Sequence, residues 1–453
     1  MRGPIRTVNQ CSNVLLGALM MLGLLLITAE AQASQLTFNG EYRQGVGGVA
    51  GLDGIVTVAQ SPDGKQVYVS ALGANGGLTT FDRDQSTGKL LFNQTAKIAS
   101  YDLVNLAFSA DAKHLYATTL LDKLVVLERD TNTGKLSLKT TISDVPGLVN
   151  TFLVTVSTDG KHVYVLSRHS SGSDVLAAFA RDANSGELSS IAQYFDNVGD
   201  VRGLAKASAM VISPDGKSVY VTSSVANSIT LFNRDAATGA VTFAEQLSHA
   251  TPGVAGLLGA SDAQISADGK QVYVTSAGDN ALVAFNRDVV TGRLSLADVH
   301  DSGKNPALVG AQSIGLGHDG AYIFVAATLS DAISVYKRDM QTAKLTLIEA
   351  LVANAELGGL MGVDSLSVSA DGSSLYVAPL AGAVITAFQV SKAPASVDAT
   401  SGTGETDRSD QKANPALISA ESSKGGGGAI DEMAFLVLLC VASVRRRLTR
   451  RIL

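Results

Sequence analysis

One turn motif returns seven times along the chain, and successive copies start 48 to 56 residues apart. A repeat of this length is typical of architectures whose unit is one small sheet, since about 50 residues suffice for four short strands. Each copy joins a turn, usually Asp-Gly, to a run such as Val-Tyr-Val, which is the pattern of a hairpin entering a β-strand. The copies begin at residues 61, 109, 157, 213, 266, 317 and 369.

A second motif, ending in Arg-Asp, follows each of the first six copies but not the seventh. The seventh repeat therefore lacks its last strand. The segment from Gln35 to Phe38 resembles the start of that strand in the fourth repeat, Val241 to Phe243. We therefore predict an all-β fold: a seven-bladed β-propeller of four-stranded antiparallel blades over residues 34–390, closed by the N-terminal strand, which completes the last blade.

The repeats also carry a family resemblance. The sequence VYVTS at 219–223 and 272–276, preceded by SPDGK or SADGK, resembles the YVTN repeat of the lactonase-like seven-bladed propellers, and the similarity covers residues 35–390. The resemblance implies the fold more firmly than an activity, because propellers host many functions. In that family some relatives are 6-phosphogluconolactonases or muconate-lactonizing enzymes, and many others have no assigned reaction.

The N-terminus has the three parts of a secretory signal. Arg2 and Arg6 precede an apolar run over 14–28, and Ala31-Gln32-Ala33 supplies a small-x-small cleavage site. We predict a signal peptide over residues 1–33, removed after Ala33 by signal peptidase. An uncleaved membrane helix is the alternative, although the run is short for a bilayer span.

The C-terminus suggests a second sorting signal. Residues 391–428 are predicted to form a flexible stalk that ends in a glycine run, and residues 429–453 contain an apolar stretch followed by arginines. This order resembles the GlyGly-CTERM signal of Gram-negative bacteria, which implies a rhomboid-type sorting protease, type II secretion, and a transient or retained membrane anchor. A plain tail anchor is the alternative. The expected location is the periplasm, the cell surface or the medium, and the predicted processing residues are Ala33, Gly425, Gly426, Gly427 and Gly428.

Composition excludes several kinds of site. The two cysteines, at positions 11 and 440, lie in the segments predicted to be removed, so the mature protein is expected to have no disulfide and no thiolate nucleophile or ligand. The formal net charge of −6 argues against nucleic acid as the main partner. No cofactor or metal is expected, and the turn aspartates lack the ligand run of an EF-hand. We expect a monomer.

Residues that repeat in most blades are expected to be structural. The turn aspartates should accept amide hydrogen bonds, and the repeated arginines should reach a neighbouring loop or blade. Three histidines in the turns between the first and second strands, His114, His162 and His318, are expected at the surface.

The residues that do not repeat gather at the other end of the strands. With the strands of a blade lettered a to d, these residues lie near the b–c and d–a loops, where closed β rings often bind ligands. The candidates for catalysis are Arg168, His169 and Arg202. The candidates for ligand binding are Asp53, Asp102, Lys206, Asp262, His300 and Asp364, and His249 lies nearby. The four aspartates do not occupy equivalent positions, and no known catalytic motif matches here residue by residue.

Two functions remain open from the sequence. The preferred one is an exported or surface-displayed module that binds a small molecule or a surface protein; the alternative is a lactone hydrolase that uses the b–c/d–a face. A deep pocket in which Arg168, His169 or Arg202 converge would favour catalysis. A wide channel lined by small residues would favour binding, and the expected lining is Ala59, Ala107, Thr155, Gly315 and Ser367.

Overall fold

A computed structural model describes residues 35–98, 102–120, 123–142, 150–168, 173–317 and 320–391. The predicted signal peptide, the C-terminal sorting tail and all but the first residue of the predicted stalk lie outside these ranges. The described residues form seven four-stranded sheets, each antiparallel throughout, which confirms the predicted seven-bladed propeller. No helix in the described ranges is long and apolar enough to cross a membrane.

The strands are labelled here by their place in blades 1 to 7. Strand a is β2 (Ile55–Gln60), β6 (Leu103–Phe108), β10 (Thr151–Val156), β14 (Ala207–Ile212), β18 (Ala260–Ile265), β22 (Ala311–Leu316) and β26 (Val363–Val368). Strand b is β3 (Gln66–Ala71), β7 (His114–Thr119), β11 (His162–Arg168), β15 (Ser218–Ser223), β19 (Gln271–Ser276), β23 (Tyr322–Ala327) and β27 (Ser374–Pro379). Strand c is β4 (Leu78–Arg83), β8 (Leu124–Arg129), β12 (Asp174–Arg181), β16 (Ser228–Arg234), β20 (Ala281–Arg287), β24 (Ala332–Arg338) and β28 (Val384–Val390). Strand d is β5 (Leu90–Ala96), β9 (Leu136–Ile142), β13 (Leu188–Phe195), β17 (Val241–Ser248), β21 (Leu294–Asp301), β25 (Leu345–Val352) and β1 (Leu36–Arg43). In the described ranges, two short 3-10 helices, Pro306–Leu308 and Gly358–Leu360, lie in d–a connections.

The N-terminal strand closes the ring as the sequence predicts. β1 pairs antiparallel with β28, from Leu36 opposite Val390 to Arg43 opposite Val384, and so supplies strand d of blade 7. Strand a of every blade contacts strand a of its neighbours, and β2 contacts β26. Strand a is therefore the innermost strand, and the ring leaves no blade without two neighbours.

The hydrophobic core lies between blades. Strand b is buried along its whole length in six blades, because the Val-Tyr-Val run sends side chains to both faces of a sheet that is covered on each side. One cluster, for example, joins Tyr220 and Leu231 of blade 4 to Val272 and Val283 of blade 5. Neighbouring blades thus share one core, and a single blade could not bury its own apolar surface.

The repeated arginines clamp blades 1 to 6 each to the blade before it in the ring. In blade 4, Arg234 Nη2 lies 3.0 Å from Asp159 Oδ2, and Arg234 Nε donates to the Tyr164 hydroxyl at 2.8 Å, both in blade 3. Arg234 Nη1 donates to the Gly216 carbonyl of its own blade, and the Tyr164 hydroxyl donates back to the Gly239 carbonyl of blade 4. Among the described residues, six arginines make this type of contact, with side chains at most 2% exposed: Arg83, Arg129, Arg181, Arg234, Arg287 and Arg338.

The expectation that the turn histidines lie at the surface is wrong for two of them. His114 is 1% exposed and His162 is 4% exposed. Each is the first residue of strand b, where the arginine of the next blade docks, and Arg234 Nη2 contacts His162 Nδ1 at 2.6 Å. Burial, followed by the charge of the arginine, lowers the pKa of both imidazoles. His318 lies outside the described residues.

A substitution at Gly239 measures how tightly the side chains pack around the contact between Arg234 and His162. Its φ is +76°, and a Cβ at this position would lie 2.2 Å from Cδ2 of the His162 ring. Gly239→Ala should therefore add roughly 1–3 kcal/mol of overpacking to roughly 1–2 kcal/mol of backbone strain. Gly253, at φ +80° with no atom within 4 Å of the place that a Cβ would take, is the matched control for strain alone. Equal losses for the two variants in equilibrium denaturation would show that His162 does not fill this space.

Candidate functional site

Strand a carries a repeated bulge at the b–c/d–a end of the channel. In all seven blades the pairing of strands a and b shifts register after the first residue of strand a. A bulge re-aims the side chains next to it. In blades 2, 5 and 7 the residue after the bulge accepts an N–H from strand a of the next blade. The hydrogen bonds run from Val154 N to Asn105 Oδ1 (3.1 Å), from Ile314 N to Asp262 Oδ2 (3.1 Å) and from Val58 N to Ser365 Oγ (3.2 Å).

The carboxylate of Asp262, the residue after the bulge in blade 5, accepts three hydrogen bonds. Besides Ile314 N, its carboxylate accepts Ala263 N at 2.8 Å and the Ser313 hydroxyl at 3.2 Å. Burial nevertheless raises the pKa of Asp262 to about 6, because the loss of solvent outweighs these three hydrogen bonds. The carboxylate is therefore fixed in place and carries a proton far more readily than an ordinary aspartate.

Asp364 is the second carboxylate at this end of the channel. It is the second residue of β26, and its Oδ1 accepts the Thr328 hydroxyl at 3.3 Å. Burial raises the pKa of Asp364 to about 6, and the negative charge of Asp262 acts in the same direction. We call Asp262 and Asp364 the carboxylate pair. Two of the four aspartates singled out in the sequence thus interact electrostatically.

A cavity of about 390 Å³ opens in the channel between strands a of blades 5, 6 and 7, and neither Asp262 nor Asp364 is among the residues that line it. Its wall includes Gln264, two residues after Asp262 on β18, and Ile314, which donates to Asp262. Gly315 and Ser367, two of the small residues expected along the channel, also line it. The cavity extends toward the a–b turns, so the pair lies at its b–c/d–a side.

Asp53 and Asp102 do not join the pair. Both are half-buried at the entries to blades 1 and 2. The backbone carbonyl of Asp53 accepts the Gly73 amide at 2.7 Å, and burial raises the pKa of Asp102 against the opposing charge of Lys97. Among the described residues, neither carboxylate is hydrogen-bonded to Asp262 or Asp364.

The cationic candidates lie between blades 3 and 4. Arg202 and Lys206 are exposed in the d–a segment, and the backbone N–H of Lys206 donates to the Asp174 carboxylate. Arg168 ends β11, where its backbone pairs with Asp174. His169 lies outside the described residues, as do Ala33 and Gly425 to Gly428. In the described ranges no hydrogen bond or ion pair links Arg202 to the carboxylate pair.

The later histidines contact groups of the outer strands and loops. His300 belongs to β21 rather than to a loop; its Nε2 is 3.4 Å from Asp298 Oδ2 of the same strand, and its ring meets Tyr336 of blade 6 edge-on at 5.2 Å. His249 Nδ1 is 3.1 Å from Asp279 Oδ2 of the next blade. Across the part of the chain with described coordinates, no group of three or more His, Cys, Asp or Glu side chains could hold a metal ion.

Sequence reasoning missed the neighbours that define the pair. Ser313 lies on β22, Gln264 on β18 and Thr328 in the loop after β23, and none of them belongs to a motif. Their proximity depends on the bulge in strand a and on the rotation between blades. The only signal in the sequence was that Asp262 and Asp364 interrupt otherwise uncharged strands.

Asp364→Asn should stabilise the protein above pH 6. The folded-state pKa of Asp364, about 6, exceeds the usual unfolded value of about 3.9. The folded form therefore binds more protons between these values, and its stability falls as the pH rises through 6. Asparagine removes this penalty, so the variant should gain about 3 kcal/mol over wild type at pH 8 and little at pH 4. Denaturation at both pH values measures the difference, and exposed Asp200→Asn is the control. A variant that is less stable at pH 8 would contradict the account.

Comparison with known proteins places the repeats in one family. A family model described as "Lactonase, 7-bladed beta-propeller" matches residues 41–153, 105–198, 193–252 and 209–358. No curated protein matches the sequence.

Solved structures share the fold at low sequence identity. A protein of Bacteroides uniformis, named as a candidate 6-phosphogluconolactonase, is 20% identical with a TM-score of 0.58, over 74% of this chain and 92% of its own. A Bacteroides fragilis protein named in the same way is also 20% identical with a TM-score of 0.58, over 74% of this chain and 91% of its own. The periplasmic gluconolactonase of Pseudomonas aeruginosa is 19% identical with a TM-score of 0.52, over 66% and 86%.

Proposed function

Because the chain belongs to the lactonase family of seven-bladed β-propellers, we propose that it hydrolyses a lactone at the carboxylate pair. The observation that carries this proposal is the pair itself, two half-buried carboxylates at the channel whose pKa values are raised to about 6. A general base works best when its pKa is close to the working pH, so that it is ionised and still basic. Arg168, His169 and Arg202 have no role in this proposal.

The two carboxylates have different roles. Asp262 is held by three donors, which favour its ionised form. Asp364 has one hydroxyl donor and the charge of Asp262 nearby, so Asp364 is the better proton acceptor. Asp364 takes a proton from water as the water oxygen bonds to the lactone carbonyl carbon. The tetrahedral intermediate then collapses, the ring C–O bond breaks, and Asp364 returns the proton to the leaving alkoxide, giving the hydroxy acid.

The charge at the channel favours an uncharged substrate. Each carboxylate repels each negative charge of a phosphate by roughly 2–3 kcal/mol at about 6 Å with an effective dielectric constant of 20. The channel cavity reaches the pair only through Ile314, which donates to Asp262, and its lining contains no basic residue. The lining residues are Gln264, Ile265, Ala267, Ile314, Gly315, Leu316, Gly317, Gly320, Leu366, Ser367, Val368, Ser369 and Ala370. A neutral sugar lactone fits this environment better than a phosphorylated one.

We place this activity outside the cytoplasm. The leader pattern over residues 1–33 supports export by signal peptidase, and the C-terminal pattern supports sorting by a rhomboid-type protease and type II secretion. The Ser391 amide donates to the Gln35 carbonyl at 2.9 Å, so a leader and an anchor would join the propeller at one place. That place is on the a–b/c–d face, opposite the pair.

A binding module is the second candidate function. Several apolar side chains are exposed on the b–c/d–a face, among them Val46 (60%), Val225 (57%) and Met361 (63%). Exposed apolar groups on one face can mark a contact surface. For this function the protein would not need the carboxylate pair, and it would not hydrolyse lactones.

A lactone panel distinguishes the two candidates. Full-length protein should be assayed in a pH-stat at pH 7.5 with glucono-1,5-lactone and its 6-phosphate, and spontaneous hydrolysis subtracted. We expect enzymatic hydrolysis of the neutral lactone, with kcat/KM at least about tenfold higher than for the phosphate, given the repulsion above. No rate above the spontaneous one for any lactone in the panel would rule out the hydrolase and leave the binding module. A higher kcat/KM for the 6-phosphate would refute only the proposal that the substrate is uncharged. The proposal that the protein hydrolyses a lactone would stand.

A further inference from the structure

Blade 6 is joined to blade 5 by a weaker form of the arginine clamp. Arg338 Nη2 lies 3.7 Å from Asp268 Oδ2, whereas the other five arginines lie 3.0–3.2 Å from their aspartates. In those five junctions the arginine Nε donates to a tyrosine hydroxyl. Among the described residues, Arg338 Nε has no hydrogen-bond partner. Because 3.7 Å is too long for a hydrogen bond, this junction has lost two of the bonds that the other clamps make.

The c–d turn of blade 6 explains the difference. It has Ala343 where the turns of blades 1 to 5 have glycine, and at those glycines a Cβ would lie 2.2–2.7 Å from the first residue of strand b in the preceding blade. Ala343, at φ +61°, puts a methyl group into the equivalent space, where blade 5 has Gln271. The Tyr273 hydroxyl donates to Gln271 Oε1 at 2.6 Å, and Arg338 reaches the same oxygen through Nη1 at 2.9 Å. In the other clamped junctions the tyrosine donates to the carbonyl of the turn glycine instead.

The junction between blades 6 and 7 has neither the arginine nor the tyrosine of the clamp. Blade 7 has Val390 at the position of the arginine, and blade 6 has Phe324 at the position of the tyrosine. On the outer strands the Leu36 amide donates to Glu349 Oε2 at 3.1 Å. Clamped junctions have an equivalent bond as well, so this bond does not replace the clamp. The a–b/c–d end of blade 6 is therefore weakly held on both sides.

The b–c/d–a end of blade 6 is attached to both neighbours. Toward blade 5, the Gly310 amide donates to Asn280 Oδ1 at 2.8 Å. Toward blade 7, the Gly362 amide donates to Asp331 Oδ1 at 2.6 Å. The two ends of the blade thus differ in how strongly they are held, and movement is expected at the end with fewer strong contacts.

The weakly held end adjoins the cavity in the channel. Gly317 and Gly320 of blade 6, and Ser369 and Ala370 of blade 7, line this cavity at its a–b side. We propose that blade 6 is hinged: its a–b/c–d end moves away from blades 5 and 7 about its attached b–c/d–a end, and this movement widens the cavity. The channel then has a second opening, on the face opposite the carboxylate pair, whose width depends on blade 6.

Thiol labelling of the folded protein measures this movement. Cysteine is introduced in the full-length chain, with Cys11→Ser and Cys440→Ser as background, and its reaction with iodoacetamide is followed by mass spectrometry. Val325→Cys reports on the junction between blades 5 and 6, Val377→Cys on that between blades 6 and 7, and Val221→Cys on the clamped junction between blades 3 and 4. The three valines are the fourth residues of their strands b and are all 0% exposed, so the substitutions are matched.

We expect Val325→Cys and Val377→Cys to react at least about tenfold faster than Val221→Cys under native conditions, because a buried thiol reacts only when its junction opens. At the attached end, Ala327→Cys should react no faster than Ser223→Cys, its counterpart in blade 4. Equal rates at the three valine positions would overturn the proposal. A rate for Ala327→Cys as high as that for Val325→Cys would also overturn it, since the whole blade would then detach.

Ala343→Gly tests the cause of the weak junction. Glycine removes the methyl group and adopts a positive φ at little steric cost, so the variant should slow the labelling of Val325→Cys by about threefold or more. Ala112→Gly, at φ +57° in clamped blade 2, is the matched control and should leave this rate unchanged. No slowing by Ala343→Gly, or equal slowing by both variants, would contradict the role of Ala343. These rates do not involve lactone turnover, so they are independent of the proposed function.

Discussion

Arg234→Ala should lower the free energy of unfolding by about 2–4 kcal/mol, because it removes a fully buried guanidinium that donates to a carboxylate, a hydroxyl and a carbonyl, and each hydrogen bond to a charged group contributes about 1.5–3 kcal/mol. The Arg234 side chain is fully buried; it bonds Asp159 and Tyr164 of blade 3 and the Gly216 carbonyl of its own blade 4. Its loss leaves a buried carbonyl without this donor and a carboxylate without its cation. Urea denaturation monitored by tyrosine fluorescence measures the effect.

Two further variants show whether geometry matters as well as charge. Arg234→Lys keeps the charge but not the planar group that reaches three acceptors, so it should recover less than half of the loss. Arg202→Ala, at an exposed position, should change stability by no more than about 0.5 kcal/mol. If Arg234→Ala cost no more than Arg202→Ala, the clamp would not hold the blades together.

Asp364→Asn should reduce kcat/KM for a neutral lactone by about 10²-fold or more, the range expected when a general base is lost. The reason is that the amide cannot accept a proton from water, while its size and the Thr328 contact are preserved. The same substitution should stabilise the fold above pH 6, so inactivity cannot come from unfolding. Asp200→Asn, an exposed change on the same face, should leave the rate unchanged. Full activity in Asp364→Asn would remove Asp364 from the reaction.

The fold was predictable because each blade repeats the same local signals. The Asp-Gly turn, the Val-Tyr-Val strand and the Arg-Asp ending recur with the period of one blade, and the missing last strand of the seventh repeat indicated how the ring closes. Repetition also identified the arginines and turn aspartates as structural. His114 and His162 were misjudged, because their burial depends on the arginine of the next blade, which no single repeat contains.

The candidate site was only partly predictable. Asp262 and Asp364 stand out in the sequence, but Asp53 and Asp102 looked equally good. What separates them is the position of each residue relative to the bulge in strand a, together with the burial that follows from packing three blades around one cavity. Both depend on contacts between residues about 50 or 100 positions apart, which periodicity alone cannot rank.

The pH dependence of kcat/KM tests the carboxylate pair most directly. For wild type we predict a rate that rises with pH through an apparent pKa near 6, because Asp364 must be ionised to accept a proton. Asp262→Asn removes the neighbouring negative charge and should move this limb to lower pH while part of the activity remains. A wild-type profile without a limb near 6, or a limb that stays in place in Asp262→Asn, would contradict the proposal that the two carboxylates act together.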